Sequence, residues 1–305
     1  MQSRFRSDRR LTVRMVTTLF LLGLLYVAFV AVLITVLKSW LLVVVIAAGV
    51  LLAQYWFSDR VALYAMHGRI VEREEYPDLH GVIDRLCAQA DMPKPVVAVS
   101  DIDMPNAFAT GRNADHAVIC VTTGLLRRLE PAELEGVLAH ELSHVAHRDV
   151  AVITVASFLG VLAGLMVRFA FYSELFRGRR DQNTLAIFAI IMGVSAAVYA
   201  ISFMLIRALS RYRELAADRA AAFLTGRPSA LASALTKVDG DIARIPTKDL
   251  RTAQAFNAFY FSPALGAEPG LSRLFSTHPS LEKRLEQLSR ISAELGEAAM
   301  PGKAG

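Results

Sequence analysis

The residues best suited to chemistry lie in one short run, His140-Glu141-Leu142-Ser143-His144. On a helix, positions i and i+4 stand one turn apart on the same face, so both imidazoles can reach a single ion. Zinc takes histidine nitrogen at roughly 2.0–2.1 Å, a distance this spacing accommodates. Glu141 sits beside the pair, where a carboxylate can take a proton from zinc-activated water and return it to a leaving amine. The chemistry implied is hydrolysis of a peptide bond.

A catalytic zinc needs a third protein ligand and one open position. The metzincin spacing would place a glycine at position 147 and a histidine at position 150; the chain has His147 and Val150, which excludes that class. His147 shares the helix face one turn beyond His144, but three adjacent helical histidines would strain a tetrahedron. It is therefore read as a neighbour of the site or a surface residue. A carboxylate from a later helix is the alternative. Glu214, within Arg211-Tyr212-Arg213-Glu214-Leu215-Ala216-Ala217-Asp218, is the candidate ligand. Asp218, one turn on, is placed to orient a ligating histidine through its second nitrogen. Read alone, both acids are also ordinary solvated charges on a helix.

The elements that must bring residues 144 and 214 together are apolar. The chain has 305 residues, 54% of them hydrophobic, and a mean hydropathy of +0.40, too apolar for soluble domains alone. Four stretches carry no charge: Met15–Leu37, Ser39–Ser58, Val150–Val167 and Gln182–Ile206. Roughly 20 apolar residues cross a bilayer as a helix, so four spans are expected, with Lys38 at the tip of a hairpin. The first run is too long for a cleavable signal peptide and another follows it at once.

The net charge of +5 does not point to nucleic acid, because Arg4, Arg6, Arg9, Arg10 and Arg14 cluster before or at the first span. Under the positive-inside rule they hold the N-terminus in the cytoplasm. Four spans then leave residues 59–149 and 207–305 together on the cytoplasmic side. The 172–181 loop, with Arg177, Arg179 and Arg180, runs against that assignment.

If the third and fourth stretches form a hairpin, His144 lies about 9 Å and Glu214 about 12 Å from the membrane boundary at 1.5 Å rise per residue. The hairpin thus acts as the spacer that assembles the site.

The expected fold is an α-helical membrane protein with a mixed α/β, mostly helical, zincin-like catalytic domain. Residues 1–58 form the basic N-terminus and first hairpin, 59–149 the first catalytic part, 150–206 the second hairpin and 207–305 the second catalytic part. In the first part, Pro77–Ala90 reads as a helix, and Val96–Ser100, Asn106–Gly111 and Ala117–Thr122 read as strands. Pro131 opens the helix that carries His140 and is expected to run on into the third span. In the second part, Ser210–Gly226 and Ser229–Ile242 read as helices. A last helix follows Pro279 with Leu281, Leu285, Leu288 and Ile291 on one face. The aromatic residues Phe256, Phe259, Tyr260 and Phe261 read as packing groups, and Ala298–Gly305 as a loose tail. Cys87 and Cys120, on the cytoplasmic side, read as small core residues and imply neither a disulfide nor a cysteine metal site.

In these residues the sequence resembles the HtpX-type membrane metallopeptidases, relatives of the CAAX prenyl-protein endopeptidases, from about residue 11 to 292. The matching segments are Pro105-Asn106-Ala107-Phe108-Ala109-Thr110-Gly111, the HELSH run, Arg213-Glu214-Leu215-Ala216-Ala217-Asp218, and Thr277-His278-Pro279 followed by Arg284. The resemblance implies one zinc bound by His140, His144 and Glu214, with Glu141 as acid and base. It also implies that Asn106 engages substrate backbone and that His278 and Arg284 help bind substrate or stabilise the oxyanion. From the residues alone, His278 is equally a helix N-cap, and Arg284 a side chain laid along the apolar stripe. Ala117–Thr122 is expected to be an exposed edge strand to which an extended substrate adds.

The function implied is a zinc endopeptidase of the cell membrane, its site on the cytoplasmic side, cleaving damaged or misassembled membrane proteins. Prenyl-protein cleavage and a non-catalytic membrane scaffold are the alternatives. Retention of Glu141 beside both histidines speaks against the scaffold.

Overall fold

The structure, a computed structural model, describes residues 9–37, 63–64, 66–111, 113–147, 149, 182–242 and 278–299, with a few isolated positions between 45 and 56. The elements run α1 (Arg9–Leu37), β1 (Gly68–Ile70), α2 (Pro77–Ala90), β2 (Val96–Ser100), β3 (Ala107–Thr110), β4 (Val118–Thr122), α3 (Thr123–Arg128), α4 (Pro131–Ala146), α5 (Gln182–Thr225), α6 (Pro228–Ile242) and α7 (Leu281–Ala299). They fall into two compact units. One comprises Thr12–Phe57 and Ala151–Leu209; the other comprises Met1–Leu11, Ser58–Val150 and Ser210–Gly305.

In the first unit, Leu22 and Leu209 are buried against Met15, Leu19, Leu205 and Ile206. The outward side chains are large and apolar, among them Phe20, Leu24, Val27, Tyr199 and Met204. Water disfavours so continuous an apolar exterior, whereas a bilayer accepts it. The expectation of four spans is corrected to two. Among the described residues, two helices are long and apolar enough to cross a membrane, Val13–Ala31 and Met192–Thr225. A span requires a continuous helix as well as an apolar composition, and among the described residues these two segments have both. Most of 39–58, together with 150–167, the basic 172–181 loop, the aromatic residues 256–261 and the tail beyond Ala299, lies outside the described residues.

The second unit packs helices against a four-stranded mixed sheet of order β1-β2-β4-β3. β2 and β4 are parallel, from Val96↔Val118 to Ser100↔Thr122. β1 lies antiparallel to β2 and β3 antiparallel to β4. β4 is thus interior, not the edge strand expected. Val118, Ile119, Cys120 and Val121 form an unbroken apolar run buried on both faces, the pattern of a central strand. Among the described strands, the edge beside the site is β3. Its approach is fixed at Gly124, where a Cβ would lie 1.9 Å from the Asp103 carbonyl oxygen. Arg127 and Arg128 hold the Asp103 carboxylate at 2.6 and 3.1 Å.

One core runs through this unit, joining Ile83 and Leu86 of α2, Ile119 of β4, Leu138 and Leu142 of α4, Leu231 and Leu235 of α6, and Leu288 and Ile291 of α7. α4 begins with Pro131, and the Glu130 N–H donates to Glu133 Oε2 at 2.9 Å, a carboxylate at the positive end of the helix. Glu133 also accepts from Ser233 Oγ at 2.6 Å and Lys237 Nζ at 2.8 Å, fastening α4 to α6. α4 does not continue toward residue 150 as expected. It stops at Ala146, where His147 leaves helical geometry while its N–H donates to the Ser143 carbonyl at 3.0 Å. Conversely, the expected helix at 210–226 is the last part of α5, 44 residues long and unbroken.

Candidate active site

α4 presents His140 and His144 one turn apart, and α5 presents Glu214 opposite them. The three ligand atoms lie within 4.8 Å of one another. His140 Nε2 and His144 Nε2 are 3.2 Å apart. Glu214 Oε2 stands 3.6 Å from the first and Oε1 3.4 Å from the second. An ion with four tetrahedral bonds of roughly 2.0–2.1 Å spaces its ligands about 3.3–3.4 Å apart, so these edges are those of one face of such a tetrahedron.

The other ring nitrogens explain why Nε2 faces inward. His140 Nδ1 is 2.9 Å from Asp218 Oδ1, and His144 Nδ1 is 2.6 Å from Asp149 Oδ2. A nitrogen against a carboxylate carries the hydrogen, which leaves the Nε2 lone pair for the centre of the triangle. Two such lone pairs and a carboxylate converging within 4 Å repel unless a cation or proton lies between them. The donor set therefore fits a divalent metal. In the metal-free protein protons take that place: burial opposes a charge on His144, but the Asp149 and Glu214 carboxylates prevail and lift its pKa to about 10. His140 is raised in the same way, with Asp218 and Glu214 outweighing burial.

Glu141 follows His140 in α4 and is 5% exposed. Its Oε2 accepts the Ala109 N–H of β3 at 3.0 Å. Burial raises its pKa above the ordinary carboxylate range, suiting a group that must take up a proton and give it back.

The residues from the far end of the chain meet this cluster. His278 is no N-cap, since Ser280 precedes α7 and its Oγ accepts the Lys283 N–H at 3.4 Å. Instead His278 Nδ1 stands 3.1 Å from Glu214 Oε2. Arg284 does not lie along the apolar stripe. Its guanidinium grips Asp218 and holds Nη1 3.8 Å from Glu214 Oε2. Asn106 is buried at the start of β3, its N–H donating to Thr122 Oγ1 and its carbonyl accepting from the Thr122 N–H, both at 2.9 Å. His147 is outside the ligand triangle; its Nδ1 lies 2.8 Å from the Ser143 carbonyl.

Two members escaped the sequence. Asp149 is buried just beyond α4, and Arg213 Nη2 meets its Oδ2 at 2.8 Å. The signal that could have found Asp149 is an acid within a few residues of the second histidine, available to back a metal-facing ring.

Two histidines and an acid on one helix, a carboxylate from a second helix and a small sheet flanking them define a zinc metallopeptidase of the HExxH class. The comparisons agree. The profile of Peptidase family M48 matches residues 73–292. The chain is 83% identical over 304 residues to "Protease HtpX homolog 1" of Streptomyces coelicolor, covering 100% of each chain. It is 50% identical over 298 residues to a "Protease HtpX homolog" of Moorella thermoacetica, covering 97% of this chain and 99% of that one. In fold it is similar to the crystal structure of S. mikatae Ste24p, with a TM-score of 0.52 at 18% identity over 92% of this chain and 67% of that one. The chain belongs to Peptidase family M48, among the HtpX-type zinc metallopeptidases. It is a membrane-associated endopeptidase.

Proposed function

We propose that the enzyme holds one zinc ion through His140, His144 and Glu214 and cleaves damaged or misassembled membrane proteins at the cytoplasmic face of the cell membrane. The observation that carries the metal assignment is the ligand triangle, with edges of 3.2, 3.4 and 3.6 Å. Bound there, zinc supplies Lewis acidity, polarising the scissile carbonyl and acidifying the attacking water.

The rest falls to the chain's own side chains. Glu141 takes the proton from the attacking water and delivers it to the leaving amine; the Ala109 N–H keeps its carboxylate turned toward the β3 edge. Among the described strands β3 pairs along one side, with β4, and the other side is where an extended substrate can add through main-chain hydrogen bonds that make little demand on sequence. Asn106, at the head of that strand, is assigned to substrate backbone. His278 and Arg284 stand beside Glu214 and are assigned to the carbonyl oxygen as its negative charge develops. Asp218 holds the His140 ring. The N-terminal arginines support a cytoplasmic N-terminus, and loops or tails of bilayer-embedded proteins are the substrates such a placement would meet.

Zinc titration tests the ligand set. The purified full chain, stripped by chelator, should lose proteolysis and recover it with one zinc per chain, while Glu214→Ala should fail to retain the ion. Unchanged metal content in Glu214→Ala would remove that residue from the ligands.

A further inference from the structure

Each metal-facing imidazole is backed by a carboxylate, and each carboxylate by a buried arginine. On one side the relay runs Arg284–Asp218–His140. On the other it runs Arg213–Asp149–His144, with both contacts converging on Asp149 Oδ2, at 2.8 Å from Arg213 Nη2 and 2.6 Å from His144 Nδ1. We infer that Asp149 and Arg213 are positioning residues: Asp149 orients the His144 ring toward the metal position, and Arg213 fixes the Asp149 carboxylate.

The path of the chain supports this. Because α4 stops at Ala146, Asp149 returns to the ring it would otherwise pass. Arg213 immediately precedes Glu214 on α5, and Glu214 Oε1 lies 3.4 Å from His144 Nε2. His144, Asp149, Arg213 and Glu214 therefore form a closed loop tying the end of α4 to α5 at the ligand atoms. Asp149 is 3% and Arg213 8% exposed. Burying such a pair costs desolvation that Coulomb attraction offsets only with good geometry, so on stability alone an apolar pair would serve as well. Charge-assisted hydrogen bonding to a ring with one permitted tautomer gives the burial a use.

The inference rests on the metal-site reading, and its test separates the two. Zinc dissociation constants are measured on the full chain in detergent, by competition with a chromophoric chelator, for wild type, Asp149→Ala, Asp149→Asn, Arg213→Ala and the Asp149→Ala/Arg213→Ala double variant. Melting of the metal-free forms is followed in parallel. Asp149→Ala should weaken zinc binding by about 10- to 100-fold, the range for lost partners of ligating histidines. Asp149→Asn, which keeps an acceptor for Nδ1–H, should recover most of that loss. Arg213→Ala should weaken binding less and add nothing in the Asp149→Ala background, because it acts through Asp149.

Wild-type affinity in Asp149→Ala, or full additivity of the two substitutions, overturns the inference while leaving the ligand set standing. If Asp149→Ala does not fold, Asp149→Asn and Arg213→Ala decide: zinc affinity at the wild-type level in Arg213→Ala, with only its melting temperature lowered, makes the pair a structural tie and overturns the proposal. No zinc uptake by wild type itself would overturn the metal-site reading, and this inference with it.

Discussion

Arg284 meets Asp218 with two hydrogen bonds, Nε to Oδ2 at 2.8 Å and Nη2 to Oδ1 at 2.6 Å, with both groups buried. Asp218 in turn faces His140 Nδ1 at 2.9 Å. Removing the arginine breaks a buried ion pair and leaves His140 as the remaining partner of Asp218; removing one member of such a pair ordinarily costs about 3–5 kcal/mol. Arg284→Ala is therefore expected to lose stability of that order in denaturant unfolding of the metal-free chain. Arg284→Lys, which keeps the charge but not the fork, should lose less. Equal losses for the two would mean that the paired geometry contributes nothing.

Zinc uptake should release protons. His144 is raised to about 10 in the metal-free protein, its carboxylate partners overcoming burial, so at neutral pH it holds a proton that a ligand must give up. A raised histidine stabilises the metal-free fold fully below its unfolded value of about 6.5, and that contribution is lost as pH rises through about 10. Melting of the metal-free chain should therefore fall across this window. Zinc affinity should rise with pH over the same range, by about tenfold per unit for each proton displaced. A flat affinity between pH 6.5 and 9 would contradict the assignment of His144 as a ligand.

His147 is the third histidine on the same stretch, yet its Nδ1 lies against the Ser143 carbonyl of its own helix at 2.8 Å and it is absent from the ligand triangle. His147→Ala is expected to keep one zinc per chain and at least half of the wild-type proteolysis. Loss of the metal on this single change would restore His147 to the ligand set.

Local signals made much of the catalytic unit legible in the sequence. Pro131 and the acids after it marked the start of the zinc helix, and the apolar periodicity of Leu79, Ile83 and Leu86 marked α2 from Pro77 to Ala90 as the structure has it. Glu214 stood out as a candidate because it follows an apolar stretch on a readable helix, and the structure places it in the cluster with His140 and His144. Asp149 was missed for a geometric reason. Read as a continuing helix, it sits five residues past His144, about 140° around the axis and facing away; only the stop at Ala146 brings it back. The order of strands was hidden because pairing is a tertiary choice, although the unbroken run Val118–Val121 carried the mark of an interior strand. Apolar composition alone gave four candidate spans; a span also needs a long helix, and among the described residues two helices meet that requirement.

The role proposed for Glu141 is proton transfer beside a metal it does not hold. The direct test is casein proteolysis by detergent-purified wild type and Glu141→Gln, with zinc quantified in the same samples. About one zinc per chain is expected in both, with a fall in cleavage of about 10²- to 10⁴-fold in the variant, the range for loss of a positioned acid–base group. Cleavage by Glu141→Gln at the wild-type rate, with its zinc in place, would contradict it.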